Sequence, residues 1–457
     1  MNQLLIKNGQ VFWNGSFSEV DLIIDDGKIQ EILFSKSDIK EDKFMQVIDA
    51  SDGVILPSFI DSHVHFNDPG REEWEGFQTG SQAAAAGGIS TVFDMPLNSS
   101  PSVINSSILA RKKKHLENRS IIDFGLWAGI TADNFDNTIE LNAMKQQGII
   151  GFKAFLSESG ISDFPCIKKS QLKKGMEAVK QLNSILALHA EDNKSIIKKT
   201  SKLLGEKRTD RQAFLESRPL SAELEAIEYA LGLAEETGAT VHFVHVTSPK
   251  AIESLYHAKR RGVQVSVEVC PHYLLFEDKD FIEKGPILKC APPLRDKSTI
   301  EKLWNCIKNG MVDTVGSDHS PCTYSMKTAG DNNIWKSWGG IQGVQYAFPF
   351  FINEGLRRGL SLQQILPLFT SNVAKKFLPK TKKGVIEVGY EADLTIAHFS
   401  KKNKVKKSNI FMKNKYTPYE NQSLYFEITT TIVRGNIVYD KEHAISDFGY
   451  GREITTV

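Results

Sequence analysis

Little in this 457-residue chain points outward. Lysine plus arginine number 56 and aspartate plus glutamate 55, a formal net charge of +1. No overall field therefore gathers nucleic acid or an anionic membrane. No apolar run approaches the roughly 18 residues that a membrane-spanning helix needs. The start, Met1 to Lys7, lacks the basic-then-apolar pattern of a secretory leader, so a cytoplasmic location is expected. The five cysteines (Cys166, Cys270, Cys290, Cys306 and Cys322) are scattered, odd in number and without Cys-x-x-Cys spacing. That excludes a zinc-finger pattern and a disulfide framework, and it suits a reducing compartment. Fixed-period repeats and low-complexity tracts are missing too. The Lys-rich stretch Lys401–Lys407 reads as a solvated loop rather than a nucleic-acid contact.

What is present is an ordinary globular composition, 41% hydrophobic and 24% charged. A chain this long buries a large core unaided. At roughly 150 residues per domain it has room for up to about three domains, yet one α/β barrel can use about 250.

The two ends read alike. Leu4–Phe12, Val20–Ile24 and Lys28–Leu33 are short strands, with turns at Asn14-Gly15 and Asp26-Gly27. Gly384–Val388, Asp393–His398, Ile428–Val433 and Asn436–Tyr439 are expected strands near the other end, the last two joined at Arg434-Gly435. Residues 1–53 and 384–457 are thus expected to build one small β-sandwich. Between them, over 54–383, eight β-type runs alternate with helical stretches: Ile55–Val64, Ser90–Met95, Asp123–Ala128, Gly148–Phe155, Ile185–His189, Thr240–Val246, Gln264–Cys270 and Val312–Gly316. The helical stretches are Phe77–Ala86, Val103–Leu116, Gln171–Leu182, Ala222–Thr237, Pro249–Arg261 and Lys297–Lys308. That alternation predicts an α/β fold, a (β/α)8 TIM barrel.

Barrel active sites form at the C-terminal ends of the strands. The polar residues that end these runs are Asp61, His63, His65, Asp94, Lys153, His189, His242, His245, His272, Asp318 and His319. Six of the 11 histidines fall at such ends before the last strand is counted. His63-Val64-His65 is the sharpest local feature. Residues i and i+2 of a strand face one side, so both imidazoles point into one barrel mouth and can grip one metal. Alone, the pair is two chance histidines as easily as a metal site. His189 and His245 on later strands, each more often a structural histidine when taken singly, complete a nitrogen-rich set suited to zinc or a similar metal. His242, three residues before His245, faces the other way and is expected to pack or to orient a ligand. Lys153, in an apolar strand end, either snorkels or pairs with a carboxylate, or it has a depressed pKa and reacts with CO2. Asp318 either caps a turn in Ser317-Asp-His-Ser-Pro321, or ligates metal and moves a proton.

These residues resemble the cyclic amidohydrolases: dihydroorotases, dihydropyrimidinases (hydantoinases) and allantoinases. The matching pieces are Pro57-Ser-Phe-Ile-Asp-Ser-His-Val-His-Phe-Asn-Asp-Pro-Gly70, Phe93-Asp-Met-Pro-Leu-Asn98, Gly151-Phe-Lys153, His189-Ala-Glu191, Glu268-Val-Cys-Pro-His-Tyr273, Lys289-Cys-Ala-Pro-Pro-Leu-Arg295 and Ser317-Asp-His-Ser-Pro321. The resemblance implies two divalent metal ions, zinc first with cobalt, manganese or iron as alternatives. His63 and His65 would hold one and His189 and His245 the other. Lys153, carboxylated by CO2 to N6-carboxylysine, would bridge them, and Asp318 would be ligand and general base.

Departures sort the branches. The arginine that binds a substrate carboxylate in dihydroorotases is Asn67 here, and their histidine after the last-strand proline is Cys322. The hydantoinase tyrosine is missing from Ala154–Ser159, and Trp338 stands before Gly339-Gly340. The remaining pattern resembles the allantoinase branch, whose reaction is metal-dependent hydrolysis of the neutral hydantoin ring of allantoin to allantoate. An amide at position 67 suits that neutral ring better than a guanidinium. Asn67, Asn98, Cys290 and Ser317 are the expected substrate contacts, with Asn98 equally a helix cap. Trp335 and Trp338 are read as pocket-lining. Another cyclic-amide hydrolase, or a non-catalytic scaffold on the same fold, are the alternatives; the complete ligand set counts against the scaffold. The resemblance also implies a homotetramer.

Overall fold

The computed structural model describes residues 3–34, 41–442 and 448–456. Along the middle of the chain, short strands follow one another around a barrel: Phe59–Val64, Ile89–Asp94, Asp123–Leu126 continued by Ala128–Gly129, Phe152–Phe155, Ile185–His189, Thr240–Phe243, Val265–Val269 and Thr314–Val315. They pair in parallel, neighbour to neighbour. The eighth closes on the first through a parallel bridge between Val64 and His319, where the His65 N–H donates to the His319 carbonyl at 2.8 Å. Helices cover the outside, so the strands are buried on both faces and read as near-continuous apolar runs. The expected (β/α)8 barrel is the fold.

Local chemistry sets the helix ends. Phe77–Ala86 begins where Asp68 Oδ2 accepts from the Phe77 N–H at 2.9 Å, and it stops at Gly87-Gly88, with Gly88 in a left-handed turn at φ 85°. Lys297–Lys308 begins where the Asp296 side chain accepts from the Thr299 N–H at 2.7 Å. Both helices have the bounds that the sequence pattern predicts.

The chain ends supply eight strands of one mixed sheet: Leu4–Trp13, Ser16–Asp25, Lys28–Leu33, Gln46–Asp49, Val54–Pro57, Leu394–Lys404, Ser423–Val433 and Asn436–Asp440. They share an apolar core that includes Ile6, Val11, Leu22, Ile55, Leu394 and Ile432. Three expected elements differ. The run Ile55–Val64 is two strands, because Pro57 has no N–H to continue a ladder. The Ser58 N–H goes to Asp393 in the terminal sheet, and the Phe59 N–H goes to Gly88 in the barrel. Gly384–Val388 is not a strand. Positive φ at Gly384 and Gly389 turns the chain at both ends, and Ile386 is buried without joining a ladder. The stretch Lys401–Lys407 is not wholly a loop either, since the strand from Leu394 runs to Lys404, with Asn403 opposite Leu424 and Lys404 opposite Ser423. Among the described residues, no helix is long and apolar enough to cross a membrane.

Candidate metal centre

The six expected ligand residues converge at the C-terminal mouth of the barrel. His63, on the first strand, and His65, just past its end, reach Asp318 Oδ1 with their Nε2 atoms, at 3.2 and 3.4 Å. Across the mouth, His189 Nδ1 and His245 Nε2 face each other at 3.0 Å. The rings of His63 and His245, one from each group, have centroids 5.6 Å apart. Lys153 lies close enough to His63, His189 and His245 for its charge to oppose their protonation. His245 and Asp318 both take left-handed backbone turns, each at φ 44°. Non-glycine residues hold such a conformation only where surrounding structure enforces it, commonly at functional sites.

Hydrogen bonds fix which ring atoms face inward. His63 Nδ1 is held by Glu268 Oε1 at 2.8 Å, leaving Nε2 toward Asp318. His189 Nε2 is held by Glu191 Oε2 at 2.8 Å, leaving Nδ1 toward His245. A carboxylate on one imidazole nitrogen sets the tautomer and frees a lone pair on the other. Glu268 also accepts from the Ser62 hydroxyl at 2.7 Å, and Glu191 is paired with Arg218. Burial works against the charge of Glu191, but Arg218 and His189 bring its carboxyl down to about 2. Sequence reasoning missed both glutamates as ligand-orienting groups. Glu191 left a trace, two residues past His189. Glu268 opens the quoted motif Glu268–Tyr273, but it is 205 residues from His63, and nothing in the sequence pairs the two. His242 is buried, with Nδ1 2.9 Å from the Ser266 hydroxyl and Nε2 3.7 Å from Glu268, the carboxylate that holds His63; the strand ends at Phe243, so strand alternation does not set its direction against that of His245.

The centre is under-satisfied. Lys153 Nζ, His65 Nδ1 and His245 Nδ1 are buried with no hydrogen-bond partner. Burial pushes the Lys153 ammonium down to about 8. It also lowers His63 and His189, and lowers His245 well below the usual imidazole range. Burial opposes the Asp318 charge, yet His63 and His65 hold its carboxyl at about 2. His63, His189 and His245, whose protonation burial disfavours, and the Asp318 carboxylate form a donor set suited to a divalent cation. His63, His65 and Asp318 each offer an atom within 4.8 Å of the others, a spacing one divalent ion can span.

The expected substrate contacts divide. Asn67 sits in a left-handed turn at φ 63°; its Nδ2 donates to the Pro321 carbonyl at 3.4 Å, and its Oδ1 is buried and unpaired. Asn98 is in a left-handed turn too, at φ 71°, and its carbonyl accepts from Arg71 at 2.8 Å. It does not cap the next helix: Asn105 does, accepting from the Ile108 N–H at 2.8 Å. Ser317 spends its N–H on Asp61 at 2.9 Å and its hydroxyl on the His63 carbonyl at 3.4 Å. Cys290 is buried, which pushes its thiol up to about 12. Trp335 is half-buried against the hydrophobic core, where its Nε1 donates to the Arg208 carbonyl at 2.9 Å and its ring lies against Phe214. Trp338 stacks at a tilt on Trp74, 4.8 Å between centroids, on a loop that Lys289 and Lys327 tie down through the Ser337 and Trp338 carbonyls.

Comparison with known proteins agrees with this geometry. The model of the amidohydrolase family matches residues 54–438. A protein named allantoinase from Solibacter usitatus is 38% identical over 443 residues, covering 97% of this chain and 94% of its own. Another from Deinococcus radiodurans is 41% identical over 396 residues, 86% of each chain. Among solved structures, the L-hydantoinase (dihydropyrimidinase) of Arthrobacter aurescens superposes over the whole of both chains with a TM-score of 0.94 at 29% identity. A dihydropyrimidinase from Brevibacillus agri follows at 0.91 and 28%, over 99% of this chain and 98% of its own.

Proposed function

The chain belongs to the amidohydrolase family, and on that premise we propose that it is an allantoinase, opening the hydantoin ring of allantoin to allantoate. The observation that carries the choice of ring is identity, 38% over 97% of the chain to a protein of that name, against 29% to the hydantoinase of nearly the same fold. The chemistry rests on the barrel mouth.

The residues there fit a binuclear metal centre. His63 and His65 would hold one ion, and His189 and His245 the other, through the ring atoms that Glu268 and Glu191 leave free. Lys153 is a buried, unpartnered amine, and a neutral amine is the form that adds to CO2. If its nitrogen bonds the CO2 carbon and loses a proton, Lys153 becomes N6-carboxylysine, whose carboxylate oxygens would serve as ligands for the ions. Zinc suits this nitrogen and oxygen set, with cobalt, manganese and iron as alternatives. When bound, such ions polarise the amide carbonyl and acidify water toward neutrality. Asp318, anionic at neutral pH, accepts the water's proton at a carboxylate oxygen and returns it to the departing ring nitrogen. The ring C–N bond breaks, a C–O bond forms, and the carbonyl carbon stays in the ring-opened product as its carboxylate. The unpaired Asn67 Oδ1 is free to accept from a ring N–H, and the Ser317 carbonyl and Cys290 backbone complete the contacts. Asn98 supports that pocket wall through its bond with Arg71.

Action in the cytoplasm belongs to the same reading, supported by five free cysteines, and so does a homotetramer, which rests on the family resemblance alone. A hydantoinase acting on dihydropyrimidines is the second reading, favoured by the TM-score of 0.94. The test is product formation from allantoin by metal-loaded protein. Allantoate must appear, stop on chelation and resume on adding metal; failure to form it with metal bound removes the assignment.

A further inference from the structure

A second donor set shares Asp318. Cys270 Sγ, a ring nitrogen of His272 and an Asp318 carboxylate oxygen all lie within 4.8 Å of one another. Neither Cys270 nor His272 belongs to the six-residue centre. They follow directly on the strand Val265–Val269, whose Glu268 orients His63. Cys270 is wholly buried and His272 is 1% exposed. His272 Nε2 has no hydrogen-bond partner, which at this depth costs free energy unless something occupies the lone pair or its proton.

The surroundings select the ligand. Burial first, then the nearby carboxyls of Glu268, Asp318 and Asp61, holds the Cys270 thiol protonated. The same carboxylates attract a cation. Sulfur plus imidazole plus one carboxylate oxygen favours a soft, thiophilic divalent ion, while Mg²⁺ and Ca²⁺ want oxygen ligands.

We propose that Cys270, His272 and Asp318 form an inhibitory site for a thiophilic divalent cation, distinct from the catalytic pair but joined to it through Asp318. On binding, the Cys270 S–H bond breaks, a metal–sulfur bond forms and the proton goes to solvent. The cation takes up the Asp318 carboxylate and removes it from proton transfer, a consequence that rests on Asp318 being the base.

Cadmium is the probe. Enzyme already loaded with its catalytic metal is titrated with Cd²⁺ while turnover, cadmium–thiolate ultraviolet absorption and retained catalytic metal are followed together. Turnover is expected to fall as the thiolate absorption rises, with catalytic metal retained. Cys270→Ala is expected to lose the absorption and to raise the half-inhibitory concentration about tenfold or more, the equivalent of about 1.4 kcal/mol. Cys166→Ala, which removes the half-buried thiol, leaves both readouts unchanged. His272→Asn keeps the thiol and weakens both, so the site stays testable if the alanine variant does not fold. Absorption that survives Cys270→Ala overturns the site, as does inhibition that tracks loss of catalytic metal equally in both proteins. Absorption that depends on Cys270 without loss of turnover overturns the inhibitory role. Failure of the base assignment is read separately, from Asp318→Asn without cadmium.

Discussion

Two lysines in this molecule are buried alike and placed in opposite company. Lys383, between the barrel and the terminal sheet, has Nζ 2.8 Å from Asp123, 2.5 Å from Asp393 and 2.7 Å from Glu391. Burial alone would lower it, but those carboxylates raise it above its ordinary value. Arg434 also pairs with Asp123 and donates its N–H to Asp393 at 2.8 Å. Lys153, at the barrel mouth, has no hydrogen-bond partner, only the Phe155 ring 5.0 Å from its Nζ, and burial takes it down to about 8. The three carboxylates around Lys383 are spaced closely enough to hold a metal ion, yet an ammonium already stands among them. The mouth gathers as many ligand atoms, but its own ammonium, Lys153, makes no hydrogen bond with any of them. A buried charged cluster is structural when it is closed by its own residues, and functional when it waits for something to complete it.

That contrast can be broken in order of size. Lys153→Ala is expected to lose both metal and turnover, by about 10³-fold or more in rate, with partial recovery in short carboxylic acids that replace the carbamate oxygens. Metal analysis and rates with and without added acid check this, and full activity without acid removes the bridging role. Asp318→Asn is expected to cost about 10² to 10⁴ in kcat, the range for a positioned proton-transfer group, while metal content stays up. Lys383→Met probes the closed cluster. It leaves buried carboxylates uncompensated and is expected to cost about 3–5 kcal/mol of stability, read from denaturant unfolding, with turnover per folded molecule unchanged. Glu268→Gln is expected to weaken metal affinity by about 10–100-fold, because the amide no longer fixes the His63 tautomer. Unchanged affinity in that variant would mean Glu268 only fills space.

Much of this was legible from the sequence because it is local. Strand alternation puts His63 and His65 on one side, and barrel logic puts His189, His245 and Asp318 around the same rim. What was hidden is what distant segments decide together. Glu268 meets His63 only because the seventh and first strands face one mouth, and Lys383 meets Asp123 only because the terminal sheet docks on the barrel. Gly384–Val388 looked like a strand because it is apolar. Its burial comes instead from a loop pressed on the sheet core. Trp335 looked like a pocket residue because it lies in a family motif, but its indole N–H is already spent on Arg208.

The most direct test of the central claim is one preparation assayed on allantoin, dihydroorotate and 5,6-dihydrouracil, with metal counted on the same sample. The account predicts about two divalent ions per chain and a kcat/KM for allantoin far above the other two. Preferred turnover of either other ring, or no turnover of allantoin with both ions bound, would contradict it.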